Sequence, residues 1–102
     1  MIHVIATIHL KPDAVDSFLA EFHQIVPLVL AEQGCLAYGP TMDLETNIPA
    51  QPDVRLSTVV IMEQWQDLDS LESHLIAPHM LTYRQKVKDY IESVQLQVLK
   101  PV

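Results

Sequence analysis

The stretch VRLSTVVIMEQW, residues 54–65, decides the fold of this chain. Its centre, from Thr58 to Met62, is apolar or β-branched at every position. Residues of this kind on both faces predict a strand that is covered on both faces. The segments on either side of it are the candidates for supplying that cover.

Three further segments have the alternation of apolar and polar residues that is typical of strands. In residues 2–10, one face is apolar and the other mixed; the apolar face is Ile2, Val4, Ala6, Ile8 and Leu10, and the mixed face is His3, Ile5, Thr7 and His9. Residues 35–44 form a weaker strand, in which Gly39 and Pro40 indicate a bulge or a sheet edge. The segment SVQLQVLK, residues 93–100, is the last strand.

Helical spacing fills the intervals between these strands. Apolar residues recur every three or four positions from Val15 to Val29, with Gly34 as the expected C-terminal cap and Pro27 as an expected kink. A short helix, DSLESHL, follows the strand of residues 54–65, and Ala77-Pro78 separates it from another helix. The buried stripe of that last helix is predicted to be Met80, Tyr83, Val87 and Tyr90.

The resulting order, β-α-β-β-α-α-β, predicts an α+β fold of the ferredoxin-like type with a four-stranded antiparallel sheet. We expect residues 1–102 to form a single domain. The helices cover one face of the sheet, but the strand of residues 54–65 is too apolar on its other face to meet water. The pattern therefore predicts a homodimer packed through its sheet faces.

Composition excludes several classes of function. The net charge of −7 argues against binding to nucleic acid or to an anionic membrane. No apolar run reaches the roughly 18 residues of a membrane span, and no signal peptide is expected. The single cysteine, Cys35, excludes a disulfide framework and is expected to be a small buried apolar residue, which favours a cytoplasmic location.

Three motifs in this order resemble the antibiotic biosynthesis monooxygenase (ABM) family. They are Gly34-Cys35 with Tyr38, Glu63 with Trp65, and His74 with Pro78-His79. The resemblance covers nearly the whole chain, since element order and spacing also match. It implies a dimeric α/β barrel with a pocket between sheet and helices in each protomer.

The best-known members of the family that this sequence resembles oxidise quinols or polycyclic phenols without metal, flavin or haem. We therefore expect no cofactor and a small aromatic substrate. The haem-degrading branch uses an asparagine on its first strand, and the first strand here, IHVIATIHL, has none. The loop ETNIPAQPD, residues 45–53, is longer than the hairpin usual in the family and is expected to reshape the pocket mouth or the dimer contact.

Histidine chemistry suits such a reaction, because a base with a pKa near neutrality can deprotonate a phenol. The sequence favours His79 as the base, with His74 beside it and Trp65 and Tyr83 shaping a flat slot. Equally open is that His74 only closes a helix C-terminus and that His79 only bonds locally. A metal is not expected, because the two histidines lack i, i+4 spacing and no HExxH motif is present.

Three more residues are candidates for the pocket. Glu63 is either a solvated residue or the partner of a histidine, and Tyr38 either sends its hydroxyl into the pocket or fills the core. His9 is a possible donor if its sheet face lines a cavity and structural if that face meets a partner.

Three hypotheses for function follow from these residues. The leading one is a cofactor-independent monooxygenase acting on a quinol or a similar flat phenol. The alternatives are an isomerase of a small anionic carbonyl compound and a non-catalytic, dimeric ligand-binding or stress-associated module.

Overall fold

The computed structural model describes residues 1–102 as three helices packed on one face of a four-stranded sheet. The elements are β1 (Ile2–Leu10), α1 (Val15–Leu30), β2 (Cys35–Thr41), β3 (Thr58–Trp65), α2 (Leu68–Leu75), α3 (Pro78–Val87), a 3₁₀ turn (Lys88–Tyr90) and β4 (Ile91–Leu99). The strands lie in the order β2-β3-β1-β4, and each neighbouring pair is antiparallel. This confirms the predicted class, element order and sheet. No helix has the length and apolar character needed to cross a bilayer.

The core lies between the helices and the inner face of the three strands β1, β2 and β3. The predicted apolar face of β1 is buried from Val4 to Leu10, alternating with partly exposed neighbours. The inner residues of β3 stand beside it in register, with Ala6 opposite Ile61. Helix α1 contributes its predicted stripe, of which Phe18, Phe22, Ile25 and Val29 are buried. Burial of this stripe supplies most of the driving force that holds α1 on the sheet.

Cover on both faces of β3 was predicted, but on the outer face this chain buries only Thr58. Met62 on the outer face is 47% exposed. Strand β4 has even less cover, because every residue from Glu92 to Leu99 is exposed. Its apolar residues Val94, Leu96 and Val98 stand on the same face as the buried core of β1. The helices end before they reach β4.

The long connection between β2 and β3 shortens both predicted strands. Strand β2 ends at Thr41 instead of residue 44, and β3 begins at Thr58 instead of residue 54. The cause is a polar clamp outside the sheet: the Asp43 carboxylate accepts the Arg55 backbone N–H at 2.8 Å and its guanidinium at 2.9 and 3.0 Å. These bonds hold the ends of the loop together without ladder pairing.

The bulge in β2 also differs from its predicted position. The register shift lies between Cys35 and Ala37, while Gly39 and Pro40 pair regularly with β3. Strand β2 is at the predicted sheet edge. Proline is tolerated there because its missing N–H can face away from the ladder.

Candidate active site

A cavity of about 480 Å³ lies between the inner sheet face and the helices. Twelve of its 16 lining residues are hydrophobic, and the other four are Glu63, His74, Arg84 and Lys88. Glu63 and His74 are buried, whereas Lys88 and Leu96 are exposed, so the cavity has a closed end under the helices and an open end at β4. An apolar space of this size with a few convergent polar groups is typical of a small-molecule site.

His74 is the histidine that lines this cavity. It lies in the last turn of α2, is 2% exposed, and its Nδ1 is 2.9 Å from Oε2 of Glu32. A carboxylate only accepts hydrogen bonds, so Nδ1 carries the ring proton and donates it to Glu32. Nε2 then keeps its lone pair and has no partner within the chain. Burial lowers the pKa of His74, which favours the neutral, basic form of the ring.

The same oxygen of Glu32 holds His79. His79 Nε2 is 2.8 Å from Glu32 Oε2, so one carboxylate atom joins the end of α1 to both α2 and α3. His79 does not line the cavity; it faces a separate surface depression that includes Glu21, Gln24 and Lys86. His79, which the sequence favoured as the base, therefore lies behind His74, with Glu32 between them.

Glycine 34 makes the approach of Glu32 possible. Helix α1 ends with Ala31 as its cap residue, not at Gly34 as predicted, and Gly34 lies in the following turn with φ of +84°. A Cβ atom there would be 2.1 Å from Ser70 Oγ on α2. Only glycine satisfies both the positive φ and this close contact, so the turn can press Glu32 against α2.

Trp65 supports two members of the site without lining the cavity. Its ring is fully buried, and its centroid is 4.7 Å from that of His74. Its Nε1 donates a hydrogen bond of 2.9 Å to Oε1 of Glu63. Burial raises the pKa of Glu63 to about 7, against the lowering effect of this bond. The cavity therefore contains a carboxyl group that is close to half protonated at neutral pH.

Tyr38 and Tyr83 both line the cavity. The Tyr38 ring meets that of His74 edge-on at 5.4 Å, and Tyr83 packs edge-on against Phe22 at 5.9 Å. Burial raises the pKa of both hydroxyls, so both keep their protons. Neither hydroxyl has a hydrogen-bond partner in the chain, which leaves both able to donate to a ligand; Tyr83 also borders the surface depression that contains His79.

The structure thus brings together four of the seven residues singled out in the sequence: His74, Glu63, Tyr38 and Tyr83. It leaves Trp65 and His79 behind the wall. His9 does not line the cavity, because it points to the outer face of the sheet, where Nδ1 is 3.0 Å from Thr58 Oγ1. Alternation along β1 explains this, since Ala6 and Ile8 take the cavity side.

A metal ion would find donors at Glu32, His74 and His79, whose ligand atoms all lie within 4.8 Å of one another. Two imidazoles and a carboxylate suit a divalent transition metal, and the spacing of the two histidines did not predict that Glu32 joins them. However, the nitrogen–oxygen distances of 2.8 and 2.9 Å are hydrogen-bond lengths. Two ligands of a tetrahedral zinc ion stand about 3.3 Å apart, so the observed arrangement is a hydrogen-bonded set.

Sequence reasoning missed three residues. Glu32 reads as one more polar residue after α1, while Arg84 and Lys88 read as the solvated side of the last helix. The only available signal for the last pair was that each directly follows a predicted buried position, Tyr83 or Val87, which places Arg84 and Lys88 at the border of the buried stripe.

Comparisons with known proteins agree with this architecture. The model of the family described as "Antibiotic biosynthesis monooxygenase" matches residues 1–86. The chain is 35% identical over 103 residues to the "Probable quinol monooxygenase YgiN" of Escherichia coli K12, covering 99% of this chain and 98% of that protein.

Solved structures give the same result. The crystal structure of PA3566 from Pseudomonas aeruginosa matches with a TM-score of 0.81 and 25% identity, over 99% of this chain and 93% of that one. The structure of Rv0793 from Mycobacterium tuberculosis matches with a TM-score of 0.81 and 25% identity, over 99% and 94%. The sequence resemblance is thereby confirmed, and the chain belongs to the antibiotic biosynthesis monooxygenase family.

Proposed function

We propose that this protein is a cofactor-independent monooxygenase that oxidises a quinol or a similar flat phenol with molecular oxygen. Family membership and the similarity to a probable quinol monooxygenase support a monooxygenase-type role. The observation that carries the proposal is His74, a buried histidine on an apolar cavity with Nδ1 held by Glu32 and Nε2 free.

The first step is removal of a phenolic proton by His74 Nε2. Burial keeps the ring neutral, and donation from Nδ1 to Glu32 stabilises the imidazolium that forms. The sequence favoured His79 for this step, but His79 reaches only Glu32 and the outer surface. We therefore assign the base to His74 and a positioning role to Glu32, with His79 as its second donor.

The phenolate that results needs donors in a dry site. The hydroxyls of Tyr38 and Tyr83, and Glu63 in its protonated form, are groups in the cavity wall near His74 that can donate. Their surroundings are apolar, so each hydrogen bond acts with little screening by water. Trp65 fixes the Glu63 carboxyl through one oxygen and leaves the other for the substrate.

The overall reaction balances without another reductant. Quinol and O₂ give hydroxyquinone and water: one oxygen atom forms a bond to a ring carbon whose C–H bond breaks, the O–O bond breaks, and the second oxygen leaves as water. Of the two quinol protons and the ring proton, two go into the water and one stays on the new hydroxyl. The electrons come from the electron-rich quinolate. The protein's contribution is deprotonation, orientation and exclusion of bulk water.

We also propose that two copies of the chain associate to complete the site. Val94 and Leu96 of β4 line the cavity, yet they are 53% and 45% exposed. A cavity wall with this exposure excludes water poorly. A second copy packed against the inner face of β4 would cover Val94 and Leu96 and would close the open end. Sedimentation velocity at micromolar concentration tests this; a single 11.5 kDa species would contradict it.

Oxygen uptake tests the reaction. We expect the protein to accelerate O₂ consumption by a chemically reduced naphthoquinone, with one O₂ used per quinol and a hydroxylated quinone formed. Superoxide dismutase in every cell suppresses the uncatalysed radical chain, and a protein-free cell gives the background. Catalase distinguishes the products, because it returns oxygen only when hydrogen peroxide is formed.

The same assay separates the alternatives. Peroxide release with unmodified quinone would mean that the protein is an oxidase, and would contradict the monooxygenase proposal. Binding of the quinol without oxygen uptake would favour the non-catalytic module. Rearrangement of an anionic carbonyl compound without oxygen uptake would favour the isomerase.

A further inference from the structure

Two cations line the open end of the cavity. Arg84 on α3 and Lys88 on the 3₁₀ turn are four residues apart, so both lie on the same side of this helical segment. Arg84 is half-buried and Lys88 is exposed. Of the other 14 lining residues, 12 are hydrophobic, and the remaining two are His74 and Glu63 at the closed end. The cavity is therefore polarised, with proton-transfer groups inside and positive charge at the rim.

Neither of these two charges is paired with a carboxylate, although the chain contains only 6 basic residues against 13 acidic ones. Lys11 and Lys100 are also without an ion pair, but they do not line the cavity. Arg55 pairs with Asp43 at 2.9 Å and Lys86 approaches Glu21 at 4.0 Å, but no carboxylate lies within 4 Å of Arg84 or Lys88. Like charges four apart on a helix repel each other. An acidic protein thus leaves two mutually repelling cations unpaired at the mouth of an apolar cavity.

Arg84 is close enough to act on the reacting end. Burial is the main cause of the lowered pKa of His74, and the positive charge of Arg84 adds to it. The same charge opposes the rise that burial causes in the pKa of Tyr83. His74 and Arg84 also line the same cavity, so a single ligand in it can contact both.

We propose that Arg84 and Lys88 form an oxyanion subsite that binds a carboxylate carried by the aromatic substrate. The guanidinium offers a planar pair of N–H donors that matches a carboxylate, and the lysine adds a flexible point charge. The subsite rests on the proposed use of this cavity for a flat phenol. It orients the ring with its hydroxyl toward His74 and its carboxylate toward β4.

Binding of a matched pair of compounds tests the subsite without turnover. The probes are 6-hydroxy-2-naphthoate and its methyl ester, which carry the phenol and the carboxyl group at opposite ends of the same ring system and differ in charge. Isothermal titration calorimetry of the full chain should give about tenfold tighter binding for the acid. The net charge of −7 would favour the ester, so a preference for the acid must come from local cations.

Substitution then assigns the preference to residues. Arg84→Gln should remove most of it and Lys88→Gln part of it, while ester binding changes little. Lys86→Gln is the matched control, because Lys86 lies between them in sequence but lines a different depression. It should leave the preference intact.

Equal affinities for acid and ester in the unmodified protein would overturn the subsite and leave the proposed function standing. A loss in Lys86→Gln as large as that in Arg84→Gln would also overturn it, because the effect would then be overall charge. If neither compound binds, the cavity does not take flat phenols, and the proposed function fails together with the subsite.

Discussion

Two neighbouring strands, β1 and β4, differ in how far their side chains on the inner sheet face are buried. Val4 and Val98 are opposite each other in the sheet and lie on the same face. Val4 has no exposed surface, whereas Val98 is 42% exposed. The residue type, the face and the sheet are the same; the difference is that β1 is a central strand under the helices, whereas β4 is an edge strand beyond them. The cavity lies along this boundary and takes its reactive groups from the covered side.

Replacement of His74 should have the largest effect on the covered side. We expect His74→Ala to lower kcat for quinol oxidation by about 10²- to 10⁴-fold, the usual loss when a general base is removed. The control is His23→Ala, because His23 is exposed on α1. Oxygen uptake measures both. Full activity in His74→Ala would show that the covered end does not supply the base.

Glu63 makes the stability of the covered side depend on pH. Burial raises its pKa from 4.5 to about 7, so the folded protein keeps a proton that the unfolded chain releases. The free energy of unfolding should be greatest below pH 4.5 on this account and should fall by about 3 kcal/mol as the pH rises to 7. The buried His74, whose pKa is lowered, acts in the opposite direction, below pH 6.5.

Glu63→Gln separates the two contributions. Glutamine can still accept from Trp65 Nε1 but does not titrate, so the decline between pH 4.5 and 7 should disappear from urea unfolding curves. Replacement of the exposed Glu72 by Gln should leave the decline unchanged. A decline that persists in Glu63→Gln would mean that another group causes it.

Replacement of Val4 and of Val98 tests whether the two strands differ in burial. Val4→Ala should cost about 2 kcal/mol of unfolding free energy, because two buried methyl groups are lost. Val98→Ala should cost less than about 0.5 kcal/mol in dilute protein. If a second copy covers β4, the cost at Val98 will grow with protein concentration. Equal costs that do not depend on concentration would contradict the difference in burial.

Replacement of His79, which lies behind the cavity wall, should have a smaller effect on kcat than replacement of His74. His79→Ala removes one of the two donors to Glu32 Oε2 and should lower kcat by about fivefold, the equivalent of one hydrogen bond. His79→Gln keeps a donor and should restore part of the rate. A loss as large as that of His74→Ala would restore His79 to the role of base that the sequence favoured.

The sequence was informative where the signal is local. Alternation in residues 2–10 predicted which face of β1 is buried, and the spacing in α1 predicted its stripe. The same alternation in β4 did not predict whether its apolar face is buried, because the sequence pattern of a strand contains no information about where the helices end. Its apolar residues are exposed in this chain although they repeat the pattern of β1.

The site depended on distant contacts. Glu32 meets His74 and His79 across 42 and 47 residues, and neither contact leaves a mark in the local pattern. The choice between the two histidines depends on how α2 and α3 turn about Ala77-Pro78, a three-dimensional angle that spacing does not fix. The motifs thus predicted the region of the site, and the packing of the helices determines that His74, and not His79, faces the cavity.

The tryptophan behind the wall has a practical consequence. The chain contains one tryptophan, and its ring packs against His74 and bonds to Glu63. An imidazolium quenches indole fluorescence on contact, whereas a neutral imidazole does so much less. The emission of Trp65 is therefore an intrinsic optical probe of whether the neighbouring ring carries a proton, readable in the unlabelled protein.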